Sequence, residues 1–259
     1  MLLENKTLLV TGSSQGIGLA IAKFCLAQGA KVMLHGSKER ELSSLLECSD
    51  NAAYIAADLA QAHVEDLLIS ATVERFGRID GLVNNAGVYP RSTIDDSDEL
   101  FDQVMAVNAK APLNLTKAAV KQFRQQNSAG SIVNIGSINA HCGQPDLLIY
   151  SMSKGALMTM TRNLADALSH ESIRINQLNV GWTATENEIA LKKQEGLGEN
   201  WQSRIPDTYA PRGSLLRPEE IAPHVAFWLS DLSSPCSGAV YEVEQYPVIG
   251  RNRICDIRL

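Results

Sequence analysis

Tyr150 and Lys154 stand four residues apart in the run Tyr150-Ser151-Met152-Ser153-Lys154. On a helix that spacing puts both side chains on one face, one above the other. Residues 155–164 carry apolar positions at helical spacing, which predicts that the pair does sit on a helix. A free phenol holds its proton to about pH 10, and a fixed ammonium beside it favours the phenolate and lowers that value. Such a phenol moves protons near neutral pH, as acid–base catalysis requires. Taken alone the motif also describes an exposed polar pair on a solvated helix, so the reading depends on what else the chain carries.

The elements that must position this pair are legible as alternating strands and helices. Residues 6–10 form an apolar strand candidate, followed at once by Thr11-Gly12-Ser13-Ser14-Gln15-Gly16-Ile17-Gly18 and an amphipathic helix over 19–28 that ends at Gly29. Strand, glycine-rich turn and helix in that order are the context of a dinucleotide phosphate site. Gly12 permits the tight turn, Gly16 lets backbone approach the pyrophosphate, and Gly18 lets the helix pack closely. The helix N-terminus adds free N–H groups and the positive end of its dipole. The alternative is a structural turn with incidental glycines.

The second strand, 31–35, ends where the adenosine ribose would lie. An acid there selects NAD and a base suits a 2′-phosphate. Here the acid is absent, and Ser37, Lys38 and Arg40 follow. That favours NADP, with NAD as the alternative if Lys38 and Arg40 are solvated residues opening the next helix. Asp58 closes a third strand over 53–59, placed either to accept from the adenine amino group or to cap the helix through 65–68. A fourth strand ends in Asn84-Asn85-Ala86-Gly87, small enough for close approach to a cofactor. A long helical pattern over 98–126 contains Pro112, whose missing N–H frees the carbonyl of Asn108 and kinks the helix there. The fifth strand, 130–137, puts Ser137 at its carboxyl end, where doubly wound sheets bind ligands.

These motifs, in this order and at these spacings, identify the chain as similar to the short-chain dehydrogenase/reductase family. They are Thr11-Gly12-x-x-x-Gly16-x-Gly18, Asn84-Asn85-Ala86-Gly87, Asn108, Ser137 and Tyr150-x-x-x-Lys154. The resemblance implies an α/β, Rossmann-type doubly wound domain with a seven-stranded parallel sheet flanked by helices, and usually a homotetramer. It implies hydride transfer between NAD(P) and an alcohol/carbonyl pair. Carried over, Tyr150 is the proton donor or acceptor, and Lys154 lowers its pKa and holds the nicotinamide ribose. Ser137 bonds the substrate oxygen, and Asn108 holds a water that connects Lys154 to solvent. Cofactor contacts would come from Gly12, Ser14, Gln15, Gly16, Ile17, Gly18, Ser37, Lys38, Asp58, Leu59, Asn85, Ala86, Gly87, Tyr150, Lys154, Gly181 and Thr185.

The sixth strand, 172–181, carries Val180-Gly181 where the family usually has Pro-Gly, which puts the turn beside the nicotinamide in question. Residues 184–215 are polar, with several Gly and Pro and a helical patch over 188–194. They read as a lid over the substrate or as a surface excursion. The loop after Ser137 offers Asn139, His141 and Gln144, so the expected substrate is polar: a sugar, polyol or sugar acid. Substrate contacts are expected from Ser137, Asn139, Gln144 and Tyr150. His141 is expected to pack or bind backbone, and Cys142 to be a small core residue. A seventh strand over 237–243 leads to a polar tail in which Arg251 could reach a neighbouring subunit's site.

Composition excludes other classes. The 259 residues, 45% apolar and 20% charged, suit one domain with a sizeable core. A net charge of −6, from 29 acids against 23 bases, argues against nucleic acid or an anionic membrane as partner. The five cysteines show neither a disulfide framework nor zinc-ligand spacing, and a reducing cytosol fits them. No metal is called for. The leading expectation is therefore a cytoplasmic NAD(P)-dependent oxidoreductase of a polar alcohol. The alternatives are a 3-oxoacyl or small-carbonyl reductase, and a nucleotide-binding regulator without turnover.

Overall fold

Short apolar runs become strands where both faces can be covered. These are β1 (Thr7–Val10), β2 (Lys31–Gly36), β3 (Ala52–Ala56), β4 (Gly81–Asn84), β5 (Gly130–Ser137), β6 (Ile173–Val180) and β7 (Val240–Val243). The computed structural model describes residues 1–39 and 50–249. The strands pair in parallel in the order β3-β2-β1-β4-β5-β6-β7. Every residue of β1, β4 and β5 is buried, as expected of strands covered on both faces.

Among the described residues the α-helices are α1 (Gly16–Ala27), α2 (Val64–Phe76), α3 (Asp98–Met105), α4 (Ala111–Gln125), α5 (Leu148–Ala167), α6 (Glu186–Gln194) and α7 (Pro218–Leu229). Alternation along β1 separates two cores. Leu8 and Val10 join Ile21, Cys25, Ile221 and Val225 of α1 and α7 on one face. Leu9 joins Leu68, Leu115, Phe123 and Ala165 of α2, α4 and α5 on the other.

The helix expected over 98–126 is not continuous. α3 stops at Met105, residues Ala106–Lys110 form a π turn, and α4 resumes at Ala111 with Pro112 in its first turn. The proline's missing N–H is harmless at a helix start, so the ladder breaks just before it. Asn108 sits inside the π turn, fully buried.

A row of buried polar side chains crosses the sheet on the α5 side. Asn84 Nδ2 donates to Asn134 Oδ1 at 2.8 Å, and Asn134 Nδ2 to Thr161 Oγ1 at 2.8 Å. Thr161 Oγ1 donates to Gln177 Oε1 at 3.0 Å, and Gln177 Nε2 to Asn179 Oδ1 at 2.7 Å. Asn179 Nδ2 then lies 2.9 Å from His141 Nε2. The row ties β4, β5, α5 and β6 to the loop after β5. In the paired strands Ser137 stands level with Val180, and Val180 with Val243.

Candidate active site

Strand order reverses between β1 and β4, which opens a crevice at their carboxyl ends. Two turns meet there. Thr11 Oγ1 accepts from the N–H groups of Asn85 and Ala86 at 3.0 and 3.1 Å. Asn85 Nδ2 returns bonds to the carbonyls of Thr11 and Gly12 at 2.8 and 3.0 Å.

The glycines of this cradle are required by space. A Cβ on Gly18 would lie 2.3 Å from Gly12 O and 2.4 Å from Asn85 Nδ2. A Cβ on Gly12 would lie 2.8 Å from Ala86 Cα, and both Gly12 (φ +61°) and Gly16 (φ +55°) adopt left-handed backbone. Gly18 thus packs against the turn and Asn85 as well as supporting the helix. Gln15 is the N-cap of α1, with Ile17 half-buried behind it. Ser14 Oγ lies 3.0 Å from the point a Cβ on Gly36 would occupy, beside the end of β2. The donor-rich helix start and this Cβ-free cradle fit the pyrophosphate of a dinucleotide.

His35, which its sequence context does not distinguish from any other strand residue, is the buttress of this turn. It is 2% exposed. Its Nδ1 accepts from Gly12 N–H at 3.1 Å, and its Nε2 donates to Ala57 O at 2.9 Å, which assigns the tautomer. Burial pushes His35 below its usual value of 6.5. The unfolded chain therefore takes up the proton first, and stability is lost as pH falls from about 6.5 toward the folded value. We expect thermal melting to drop between about pH 7 and pH 5, less steeply in His35→Asn. Equal slopes for the two proteins would remove His35 from this role.

Beyond β2, Ser37 and Lys38 are exposed, and Tyr54 Oη donates to Lys38 O at 2.5 Å, fixing that loop. Arg40 lies outside the described residues. Asp58 Oδ1 accepts from Ala60 N at 2.9 Å, so it closes a local turn. It does not cap α2, whose N-cap is His63. Leu59 belongs to the apolar core that includes Val64 and Leu68, so only its backbone remains for a nucleotide.

On the other side of the crevice, α5 presents Tyr150 and Lys154. Leu147 and Leu148 start this helix close to Ser92, whose Oγ accepts from Ile149 N at 3.1 Å. The Ser137 hydroxyl lies close enough to the Tyr150 phenol to pull its pKa down. Tyr89 meets the Tyr150 ring edge-on, 6.2 Å between centroids. Lys154, 5% exposed, holds its Nζ 5.6 Å from the Tyr150 ring centroid and donates to Ile135 O at 2.9 Å. A Cβ on Gly87 would lie 3.6 Å from that Nζ and 3.3 Å from Asn108 Oδ1. Tyr150, Lys154, Ser137, Asn108 and Gly87 therefore converge.

The electrostatics differ from expectation. Burial pushes the Tyr150 phenol up to about 12, against the Ser137 hydroxyl that pulls it down, with Tyr89 and Glu188 adding to the rise. Burial pushes Lys154 down to about 8. The ammonium was expected to lower the phenol, but it is turned to a carbonyl and desolvation outweighs it. The Asn108 amide is also engaged. Nδ2 donates to Val88 O (2.8 Å) and Ser153 Oγ (3.0 Å), and Oδ1 accepts from Val88 N (2.8 Å).

Other loop residues fall elsewhere. Asn139 N–H donates to Ser137 Oγ at 3.2 Å, which keeps Asn139 beside the site. Gln144 is exposed and its amide donates to Asp146 at 2.8 Å. His141 bonds side chains, Asn179 and Glu242 (3.2 Å), rather than backbone. Cys142 is exposed, not a core residue.

Val180 remains in the sheet, so the turn starts at Gly181 despite the missing proline. A Cβ on Gly181 would strike the Glu244 carboxylate, 1.8 Å from Oε2. Thr185 caps α6 through its Oγ1, 3.1 Å from Glu188 N, and its Cγ2 lies 3.4 Å from where a Gly16 Cβ would be. The segment after β6 thus reaches back over the glycine-rich turn. Arg251 and the rest of 250–259 lie outside the described residues.

Residues 12–245 match the family described as enoyl-(acyl carrier protein) reductase. An uncharacterized oxidoreductase of Thermotoga maritima is 36% identical over 250 residues, 93% of this chain and 96% of the relative. The chain belongs to the short-chain dehydrogenase/reductase family. This short-chain dehydrogenase/reductase is an NAD(P)-dependent oxidoreductase. An L-rhamnose 1-dehydrogenase (NAD(P)(+)) of Azotobacter vinelandii is 34% identical over 249 residues, 92% of this chain and 95% of the relative. Among solved structures, a 3-ketoacyl-(acyl-carrier-protein) reductase from Brucella melitensis complexed with NADH matches at TM-score 0.81 and 28% identity, over 93% of this chain and 97% of that one. A protein from Agrobacterium tumefaciens with bound NADP, provisionally a 2-deoxy-D-gluconate 3-dehydrogenase, matches at 0.80 and 28%, over 93% and 96%. No helix among the described residues is long and apolar enough to cross a membrane.

Proposed function

We propose that the chain is an NADP-preferring dehydrogenase/reductase of a polar, hydroxyl-rich alcohol or its carbonyl: a sugar, polyol or sugar acid. The observation that carries the reading is the polar surround of the Tyr150 phenol, made of Ser137, Tyr89 and Glu188. The likeness to an L-rhamnose 1-dehydrogenase supports it.

Bound in the crevice, the nicotinamide supplies or accepts the hydride. Tyr150 passes a proton to the substrate oxygen in reduction and takes it back in oxidation. With its pKa raised to about 12, it carries that proton at neutral pH, the form that reduction needs. Ser137 donates to the same oxygen and stabilises the charge that grows there. Lys154 holds the nicotinamide ribose, and Asn108 fixes the Val88 backbone and Ser153 behind it. The glycine cradle, with Ser14 and Gln15, holds the pyrophosphate, while Asp58 and the Leu59 backbone face the adenine. Asn85, Ala86 and Gly87 line the crevice floor, and Gly181 and Thr185 meet the carboxamide side. Asn139 flanks the substrate, and residues 184–215 form its lid on a single domain. The family's homotetramer and a cytoplasmic setting complete the reading. Sizing at four times the 28.1 kDa chain mass tests the assembly.

Ser37 and Lys38 support the NADP preference. Lys38→Ala is expected to weaken NADP about tenfold, the loss of one charge-assisted bond, with NAD unaffected. An unchanged NADP/NAD ratio rejects it. The deciding experiment is an absorbance screen of reduced nicotinamide with both cofactors, polyols and sugars against acetoacetyl thioesters. The likeness to a 3-ketoacyl-(acyl-carrier-protein) reductase favours a second reading, which turnover of thioesters alone would establish. Tight cofactor binding without turnover on any substrate would instead indicate a regulator.

A further inference from the structure

α6 runs between its caps Thr185, beside the glycine-rich turn, and Glu195, which pairs with Arg91, and it carries a carboxylate in its first turn. Glu188 lies three residues beyond the capping Thr185, and its side chain is 13% exposed. Oε1 accepts from Trp182 Nε1 at 2.9 Å, and the Lys192 ammonium is 3.8 Å away. Trp182 is itself fixed, stacked on the buried Trp201 at 5.6 Å and 25°. Arg91, two residues after Tyr89, pairs with Glu195 at the far end of α6 and with Asp146 just before α5. α6 is therefore held against the segments that carry the two rings that meet edge-on, and the Glu188 charge raises both phenols.

Among the described residues its charge is only partly compensated. Lys192 bonds more closely to Glu195 at 2.8 Å, and Arg91 is shared between Glu195 and Asp146. The linked cluster therefore holds three acids (Glu188, Glu195, Asp146) against two bases (Lys192, Arg91), one negative charge in excess. A half-buried surplus charge attracts hydrogen-bond donors and repels anions far more strongly than one in open water.

We propose that Glu188 is the specificity-determining residue of the substrate cleft: its carboxylate accepts hydrogen bonds from the hydroxyls of a neutral sugar or polyol and repels substrates that carry a carboxylate near the reacting carbon. This rests on the sugar or polyol reading above and narrows it by removing sugar acids. The repulsive element sets discrimination as much as the attractive one.

The test compares wild type with Glu188→Gln on neutral polyols and aldoses and on the matched aldonates. Glutamine keeps an acceptor for Trp182 and removes the charge. Wild type should favour the neutral member of each pair, and Glu188→Gln should narrow that preference at least tenfold, mainly through KM. The limb of the kcat–pH profile carried by Tyr150 should also move to lower pH, since one negative charge near the phenol is gone. The other groups facing that phenol, Lys154 and Tyr89, are unchanged, as are Arg91, Lys192, Glu195 and Asp146 in the cluster. Glu188→Asp, which keeps the charge, should retain both the preference and the limb, and serves if the Gln variant fails to fold. A purely structural role would lower both substrate types alike and leave the limb in place, which overturns the proposal. Wild type that reduces acetoacetyl thioesters and oxidises no sugar, polyol or aldonate overturns the sugar reading and this one together. Wild type that oxidises polyols, with an unaltered preference in Glu188→Gln, overturns only the role of Glu188.

Discussion

Tyr150→Phe is expected to lower kcat by about a thousandfold while leaving the cofactor Kd within a fewfold of wild type. The substitution removes one oxygen and its proton. The ring that packs edge-on against Tyr89 remains, and Lys154 keeps its bond to Ile135 O. What disappears is the group that moves a proton to or from the substrate oxygen, in a site where Ser137 can still donate a hydrogen bond but is too weak an acid to transfer its proton. Steady-state kinetics and a fluorescence titration of the reduced cofactor measure the two quantities separately. Activity within tenfold of wild type would exclude Tyr150 as the proton-transfer group.

Gly18→Ala should act on binding instead. The added methyl would stand 2.3 Å from Gly12 O and 2.4 Å from Asn85 Nδ2, and neither is the end of a flexible chain. To admit it, the turn must separate from Asn85 and lose the bonds at 2.8 and 3.0 Å that join the two loops. Overpacking of this kind costs about 1–3 kcal/mol in stability. Dinucleotide affinity should fall more than a hundredfold, because the N–H groups no longer converge on the pyrophosphate. Gly77→Ala is the control. At the end of α2 it has φ +86° and nothing within 4 Å of its Cβ position, so it should cost stability without touching affinity. Equal losses of affinity in the two variants would mean general damage, not a collapsed cradle.

Much of this was legible because it is local. The glycine turn, the seven strands and the Tyr150–Lys154 face depend on spacings of a few residues, and the structure returns them with ends shifted by a few residues. β7, for example, begins at Val240 rather than at 237. What was not legible depends on segments distant in sequence. His35 looks like any strand residue until Gly12 and Ala57 arrive on either side of its ring. Pro112 announced a break near Asn108, but not that the chain would answer with a π turn instead of a bent helix. Counting charges near Tyr150 registers Lys154 and overlooks desolvation, which decides the sign of the shift. Gln144 is polar, as a substrate contact would be, yet its amide turns outward to Asp146. Glu188 was visible only as part of a helical patch, because Trp182 and Lys192, which meet its carboxylate, come together with it only in the fold.

The amide row beneath the site has its own consequence. Each interior amide donates an N–H to one neighbour and accepts from another, while Thr161 accepts from Asn134 and has one hydroxyl proton for Gln177 Oε1 or Leu157 O. Exchanging one member for a hydrocarbon of equal bulk strands two partners away from water, at roughly 1–3 kcal/mol for each. Exchanging adjacent members together strands fewer groups per change. Paired apolar substitutions among Asn84, Asn134, Thr161, Gln177 and Asn179 are therefore expected to cost less than the sum of the single ones.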